Sequence, residues 1–260
     1  MHAVAARTKT GALRTLALTL SLGLALAGCA GAPQAVELPE GHAPLPTGAS
    51  AAATPSGEAD ELNVSELSVA SGISMAARLG FDKARVISGT ELADLKKAPE
   101  DTPGGVAVLP TQCADVIESL NWSPVQMGGE GARTDFLTEK IPATGSVEVA
   151  KVTDKSALDA HYATVLAMLT ECQKVTMHQE TETVPFSTEK PVLKAGDADS
   201  AILWTRGRQG QGMRQQALVL IKAKGDYVAM VSFIAADGLK APEFSQMAAQ
   251  VLNAALTQAR

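Results

Sequence analysis

"AILWTRGRQGQGMRQQALVLIKAKGDYVAMVSFIA", residues 201–235, decides the fold class. Three runs rich in β-branched, aromatic and aliphatic residues, AILWTRGR, RQQALVLIKAK and YVAMVSFIA, are joined by glycine-rich GRQGQG and by the turn KGD. Runs of this length bounded by turn residues read as strands, and connections this short pair them antiparallel. PEFSQMAAQVLNAALTQAR (242–260) then closes the chain as an amphipathic helix, with Pro242 in its first turn.

Outward from this core, DKSALDAHYATVLAMLTEC (154–172) repeats Leu158, Tyr162, Val165, Leu166 and Leu169 at helical spacing, with Asp154 as its cap. KVTMHQETETV (174–184) alternates like one half-exposed strand. Before the helix, ARTDFLTEK and SVEVAKVT read as strands separated by a turn at IPATG, where Pro142 and Gly145 sit. LPTQCADVIESLNW (109–122) reads as a short helix, with Cys113, Val116, Ile117 and Leu120 on one side. ARVISGTELADLKKA (84–98) opens a helix near Thr90, acids first and lysines last, as the helix dipole favours. LNVSELSVASGI (62–73) reads as a short strand pair or a loose lead-in. Helices interspersed with hairpin-linked strands give the expectation of an α+β fold: a central, largely antiparallel sheet with flanking helices and one disulfide.

The N-terminal part is of another kind. Residues 1–14 carry Arg7, Lys9 and Arg14 and no acid, and an uncharged run of 14 residues, TLALTLSLGLALAG, follows. That order describes an export signal, and the run is shorter than the ~20 residues needed to span a bilayer. Its end, Leu26-Ala27-Gly28-Cys29, resembles the lipobox of bacterial lipoproteins. The resemblance implies that Cys29 receives a diacylglycerol and becomes the N-terminus after cleavage. The expected organisation is a signal peptide over 1–28, a lipidated flexible tether over 29–61 and a single domain over 62–260. The tether is rich in Ala, Pro, Gly and Ser, which cannot bury enough surface to fold. Removing 1–28 would leave 19 Lys+Arg against 28 Asp+Glu, a net charge near −9. Such an excess of acid argues against nucleic acid as a partner. The expected membrane contact is lipid on the extracytoplasmic face.

With Cys29 assigned to lipid, Cys113 and Cys172 are left as an even pair in an exported domain, where thiols are generally oxidised. A disulfide between them is the expectation, with two independent buried thiols as the alternative. LPTQCADVIESLNW, the helix ending LAMLTECQKVTM, and ALVLIKAKGDYVAMVSFIAADG with its terminal helix together resemble the extracellular sensor-like domain of actinobacterial PknH-type kinases, which free-standing lipoproteins also carry. The resemblance covers residues 62–260 and implies an α+β domain with an antiparallel sheet, a cleft and ligand sensing. The kinase-linked form has a second disulfide, for which this chain has no cysteines. No kinase domain is present here, so signalling would need a partner.

Sequence motifs for catalysis are weak. Ser187-Thr188-Glu189-Lys190 matches the SxxK of penicillin-binding proteins, but Pro185 and Pro191 bracket it and no SDN or downstream KTG follows. No GxSxG, HExxH, Walker loop or dinucleotide fingerprint occurs in residues 29–260, and no CxxC or HxxxH spacing points to a metal. His161 borders the apolar stripe of its helix, and Asp197 and Asp199 read as a solvated loop. No cofactor is expected. Arg206, Arg208 and Arg214 cluster around glycines in an acidic chain. They read either as a solvent-facing hairpin tip or as a grip for a carboxylate, phosphate or sulfate. Trp122 and Trp204 read either as core or as pocket walls. The expected function is a non-catalytic ligand-binding or sensor-like module at the cell surface. The alternative is a structural or assembly lipoprotein acting through an envelope protein.

Overall fold

The computed structural model describes residues 63–97, 105–127, 129–179, 182–208 and 214–259. The signal segment, the tether and Cys29 lie outside them. Nine strands form one sheet in the order β1-β3-β4-β9-β8-β7-β6-β5-β2, with every neighbouring pair antiparallel. The strands are β1 (Lys83–Ile87), β2 (Val106–Leu109), β3 (Gly131–Thr138), β4 (Ile141–Lys151), β5 (Lys174–Gln179), β6 (Glu182–Glu189), β7 (Ser200–Arg206), β8 (Gln215–Lys224) and β9 (Tyr227–Ala235). The helices are α1 (Val64–Arg78), α2 (Gly89–Leu95), α3 (Ala114–Leu120), α4 (Lys155–Thr170) and α5 (Pro242–Ala255). The fold is α+β with one disulfide, Cys113–Cys172.

The strands β7, β8 and β9 are paired as their sequence indicates, through Trp204↔Ala217↔Ile234 and Ile202↔Val219↔Ser232. Alternation along a strand sends successive side chains to opposite faces. One face, bearing Leu203, Leu218, Leu220, Val231 and Phe233, packs under α1 and α5. The other, bearing Ile202, Trp204, Val219 and Met230, meets α3 and α4. Both faces of β8 are covered, which is why ALVLI reads as an unbroken apolar run (217–221).

Three readings of the sequence need correction. Residues 64–73 of LNVSELSVASGI lie in α1, opened by a reciprocal cap: Asn63 Oδ1 accepts from the Glu66 N–H and Glu66 Oε2 from the Asn63 N–H, each at 2.9 Å. Its buried positions are Ser65, Ser68, Val69, Gly72 and Ala76, so a stripe of small residues takes the place of an apolar one. They allow close approach: a Cβ on Gly72 would lie 3.2 Å from Ala255 Cβ on α5. IPATG is strand, not turn. The chain reverses at Glu139 and Lys140, and Pro142 falls in the β3–β4 bulge, where the ladder skips from Thr138↔Ile141 to Leu137↔Thr144. The single strand expected over 174–184 is a hairpin, with β5 and β6 flanking residues 180–181. The two edge strands, β1 and β2, have no counterpart in the sequence reading.

Candidate functional site

The face under α3 and α4 carries a cleft of about 300 Å³. Its floor is built from β5–β9 and its wall from α3, the residues after it and α4. The sequence fixes that wall at several points. Asp154 starts α4, its Oδ1 accepting from the Ser156 and Ala157 N–H groups at 2.9 and 3.2 Å. The Ser156 hydroxyl, donating to the same oxygen at 2.6 Å, together with these backbone bonds holds the Asp154 carboxyl below its ordinary range. Near the C-terminal end of α4, the buried Thr188 Oγ1 on β6 donates to the Met168 carbonyl at 2.6 Å. Cys172, just beyond, is bonded to Cys113 at the start of α3, with Cα atoms 5.8 Å apart. The two cysteines are buried with Val108, Val165, Met168, Val175, Phe186 and Ile202, so the bridge pins α3 to α4 inside an apolar cluster.

The far end of the wall is tied down differently. Ser123 Oγ donates to Glu148 Oε2, and Arg133 Nη1 donates to Glu148 Oε1 at 2.7 Å. Glu148 is fully buried on β4; burial pushes its carboxyl up, while Arg133 and Ser123 pull the other way. Trp122 precedes this anchor, and its ring stacks on His161 of α4 at 4.5 Å. On the floor, Trp204 stacks on Phe186 at 5.6 Å.

Both tryptophans therefore line the cleft, one on the wall and one on the floor. His161 does so as well. It is 6% exposed, and its Nδ1 has no hydrogen-bond partner among the described residues. Burial lowers its pKa to about 4, against a weaker opposing hydrogen bond with the Ser119 backbone. The imidazole is neutral at physiological pH, so the nitrogen without a hydrogen is an acceptor.

The three arginines do not form one cluster. Arg206, on the floor strand β7, lines both the main cleft and a shallower hollow of about 400 Å³ beside it. Arg214 lines only the second, and its Nη2 lies 3.2 Å from Asp237 Oδ1. The Asp237 carboxyl is held low by the Gly238 N–H and by Arg214. Arg208 is exposed and lines neither hollow.

Other residues that drew attention in the sequence lie in ordinary places. Ser187 is on β6, where alternation sends it and a residue three positions on to opposite faces, so the SxxK pattern places no amine beside the hydroxyl. His178 is on β5, with Thr183 Oγ1 3.2 Å from its Nδ1. Asp197 and Asp199 accept backbone N–H bonds from Lys194 and Ala223, at 3.0 and 2.8 Å. The described residues contain no group of three or more His, Cys, Asp or Glu arranged to hold a metal, and no helix long and apolar enough to cross a membrane. The sequence reading missed the Ser123–Glu148–Arg133 tie, since a lone glutamate in SVEVAK carries no sign that it will be buried.

No protein-family model matches the chain, and no curated protein does. Among solved structures it is similar to an uncharacterised protein of Mycobacterium smegmatis, at 16% identity over 73% of this chain and 95% of that one, with a TM-score of 0.46. It is also similar to the extracellular domain of PknH from Mycobacterium tuberculosis, at 10% identity over 70% and 90% of the two chains, with a TM-score of 0.36.

Proposed function

We propose that this chain is a cell-surface lipoprotein, held at the extracytoplasmic face of a membrane by acylated Cys29, whose folded part is a non-catalytic, sensor-like ligand-binding module. The cleft carries this reading. It is concave and mostly apolar, with a few polar groups converging on it, which is the usual make-up of a small-molecule site. A disulfide inside the wall is in keeping with an oxidising compartment. A non-catalytic role is supported by the polar groups themselves. Ser232 Oγ in the cleft is 2.8 Å from Ser146 Oγ, and His161 Nδ1 has neither a hydroxyl to activate nor a carboxylate to orient it.

Tryptophan emission tests the binding role, because the sequence has two tryptophans and both line the cleft. Titration with the uncharged fluorophore N-phenyl-1-naphthylamine is expected to quench that emission saturably, at one molecule per chain. No response would overturn the binding reading and favour a protein partner. For the anchor, Cys29→Ala is expected to move the protein from the membrane fraction to the soluble one, and unchanged fractionation would overturn lipidation.

A further inference from the structure

The two ends of the cleft differ in chemistry. Trp122 packs against the cluster of Leu158, Ile221, Val228 and Met230, and His161 lies stacked on it. On the floor, Ile221 is paired with Ser200, at the start of β7. Arg206 is at the other end of the same strand. Ile202, Trp204 and Arg206 share one face, and the four-residue step from Ile202 to Arg206 covers about 13 Å. One end therefore offers a buried acceptor, the unpartnered Nδ1 of His161. The other offers a cation: Arg206 is half-buried, and its guanidinium makes no hydrogen bond or ion pair with the described residues. Its neighbour Arg214 is held through Nη2 by Asp237 and lines only the adjoining hollow, so Arg206 supplies the guanidinium in the lining of the main cleft. The stacked pair Trp122–His161 forms the acceptor end, and a second stacked pair, Phe186–Trp204, lies on the floor between it and Arg206.

We propose that the ligand of this cleft is a small ring-bearing organic monoacid that lays its flat body along Trp204 and Trp122, sets its anionic group on Arg206, and donates an O–H or N–H to His161 Nδ1. The proposal rests on the ligand-binding reading above and adds the ligand's chemical class. A guanidinium takes a carboxylate or sulfonate through two parallel N–H bonds, and it does so more strongly at the edge of an apolar cleft than in open water. A buried acceptor left unmade is costly, and a ligand donor removes that cost. An all-apolar ligand would use neither end.

The test uses the full chain with Cys29→Ser, to keep it free of acyl groups, and two probes read by tryptophan emission. The first, 1-anilinonaphthalene-8-sulfonate, has two aromatic systems, one N–H and a sulfonate. The second, N-phenyl-1-naphthylamine, is the same body without the sulfonate. The sulfonate is expected to tighten binding by about tenfold or more, the scale of one charge-assisted hydrogen-bonded contact. Arg206→Gln should erase that difference and leave the uncharged probe within about twofold. His161→Phe keeps a ring on Trp122 but removes the acceptor, and should weaken the uncharged probe by about fivefold or more; the sulfonate probe carries its N–H beside the sulfonate, at the Arg206 end, and should change little. Equal affinity for the two probes, with Arg206→Gln silent, would overturn the anionic end while leaving the binding module standing. An Arg206→Gln that weakens both probes alike would overturn it too, as a structural effect. A silent His161→Phe would overturn the donor. Displacement by decanoate where 1-naphthoate fails would overturn the ring-bearing body. Failure of both probes to bind would overturn this assignment and the module reading together.

Discussion

The two faces of the sheet are built to different rules. Under α1 and α5, Phe81, Phe136, Phe233 and Phe244 form a chain of ring contacts at 5.0–5.7 Å, closed by aliphatic side chains that are fully buried. Under α3 and α4, the sheet meets a disulfide, a buried carboxylate, a buried imidazole with an open nitrogen, and a cleft. One face follows the ordinary rule that interiors are close-packed and dry. The other gives up packing and burial of apolar groups over part of its area, and replaces them with covalent and ionic ties that hold a wall away from a floor. The contrast implies that stability and binding can be damaged separately, one face at a time.

The largest separation comes from Phe233→Ala. Phe233 is fully buried and touches three other rings, so its loss should cost about 5 kcal/mol, at the upper end for buried aromatics. Chemical denaturation should show a lower midpoint, while the probe affinity of the surviving folded fraction stays unchanged. A large change in affinity would mean the two faces are coupled through the sheet. Next is Cys113→Ser with Cys172→Ser. The bridge closes a sequence separation of 59 residues, for which chain entropy gives about 4 kcal/mol. Here affinity should fall as well, because α3 carries part of the wall. Unchanged affinity would show that the Ser123–Glu148 tie alone suffices to position Trp122.

How much of this contrast could be read from residues differs between the faces. β7 to β9 and α5 were legible because their signals are local: apolar runs of one strand's length, glycine at the turns and Pro242 at a helix start. α1 was not, because its buried stripe is serine, glycine and alanine around one valine, Val69, and an apolar-period reading gives the small residues little weight. Its Asn63–Glu66 cap was visible in principle. Both edge strands escaped for the opposite reason. β1 is exposed at four of five positions, and its apolar side, Ala84 and Val86, faces outward, so its short alternation marks no core. The cleft was half legible. The sequence left Trp122 and Trp204 open between core and pocket wall and placed His161 only at the border of a helical stripe; all three line the cleft. That Trp122 would stack on His161, and that Arg206 would part from Arg208, depends on register and on the α3–α4 docking, which only the tertiary structure supplies.

His161 gives a third break between the faces, through pH. Its pKa is 6.5 when unfolded and about 4 in the fold, with no charged neighbour contributing to the shift. Between these values the unfolded chain binds the proton and the folded one does not. Stability therefore rises with pH across the window: it is whole above about pH 6.5 and falls as the pH drops toward 4, by about 3 kcal/mol in all. The difference between wild type and His161→Phe isolates this contribution from the other titrating groups. Denaturation midpoints of the two proteins should diverge below pH 6 and run parallel above pH 7. Parallel curves throughout would mean that His161 takes up its proton without leaving its place on Trp122.

The smallest effect tests whether the ties on the cleft side act singly or together. Thr188→Val removes one hydroxyl, buried and bonded to the Met168 carbonyl, with little change in volume; alone it should cost about 1 kcal/mol. Met168 lies four residues before Cys172, so the hydroxyl and the disulfide hold the same end of α4. If they share that task, Thr188→Val should cost more in the Cys113→Ser, Cys172→Ser background than in the bridged protein, where the covalent tie already limits the helix. The added loss should also show in probe affinity, since α4 carries His161 into the cleft. Simple additivity in both stability and affinity would place the two ties on independent parts of the wall. A coupling of about 1 kcal/mol would mark that end of α4 as one mechanical unit, whose purpose is to keep the cleft open against the packing that closes the opposite face.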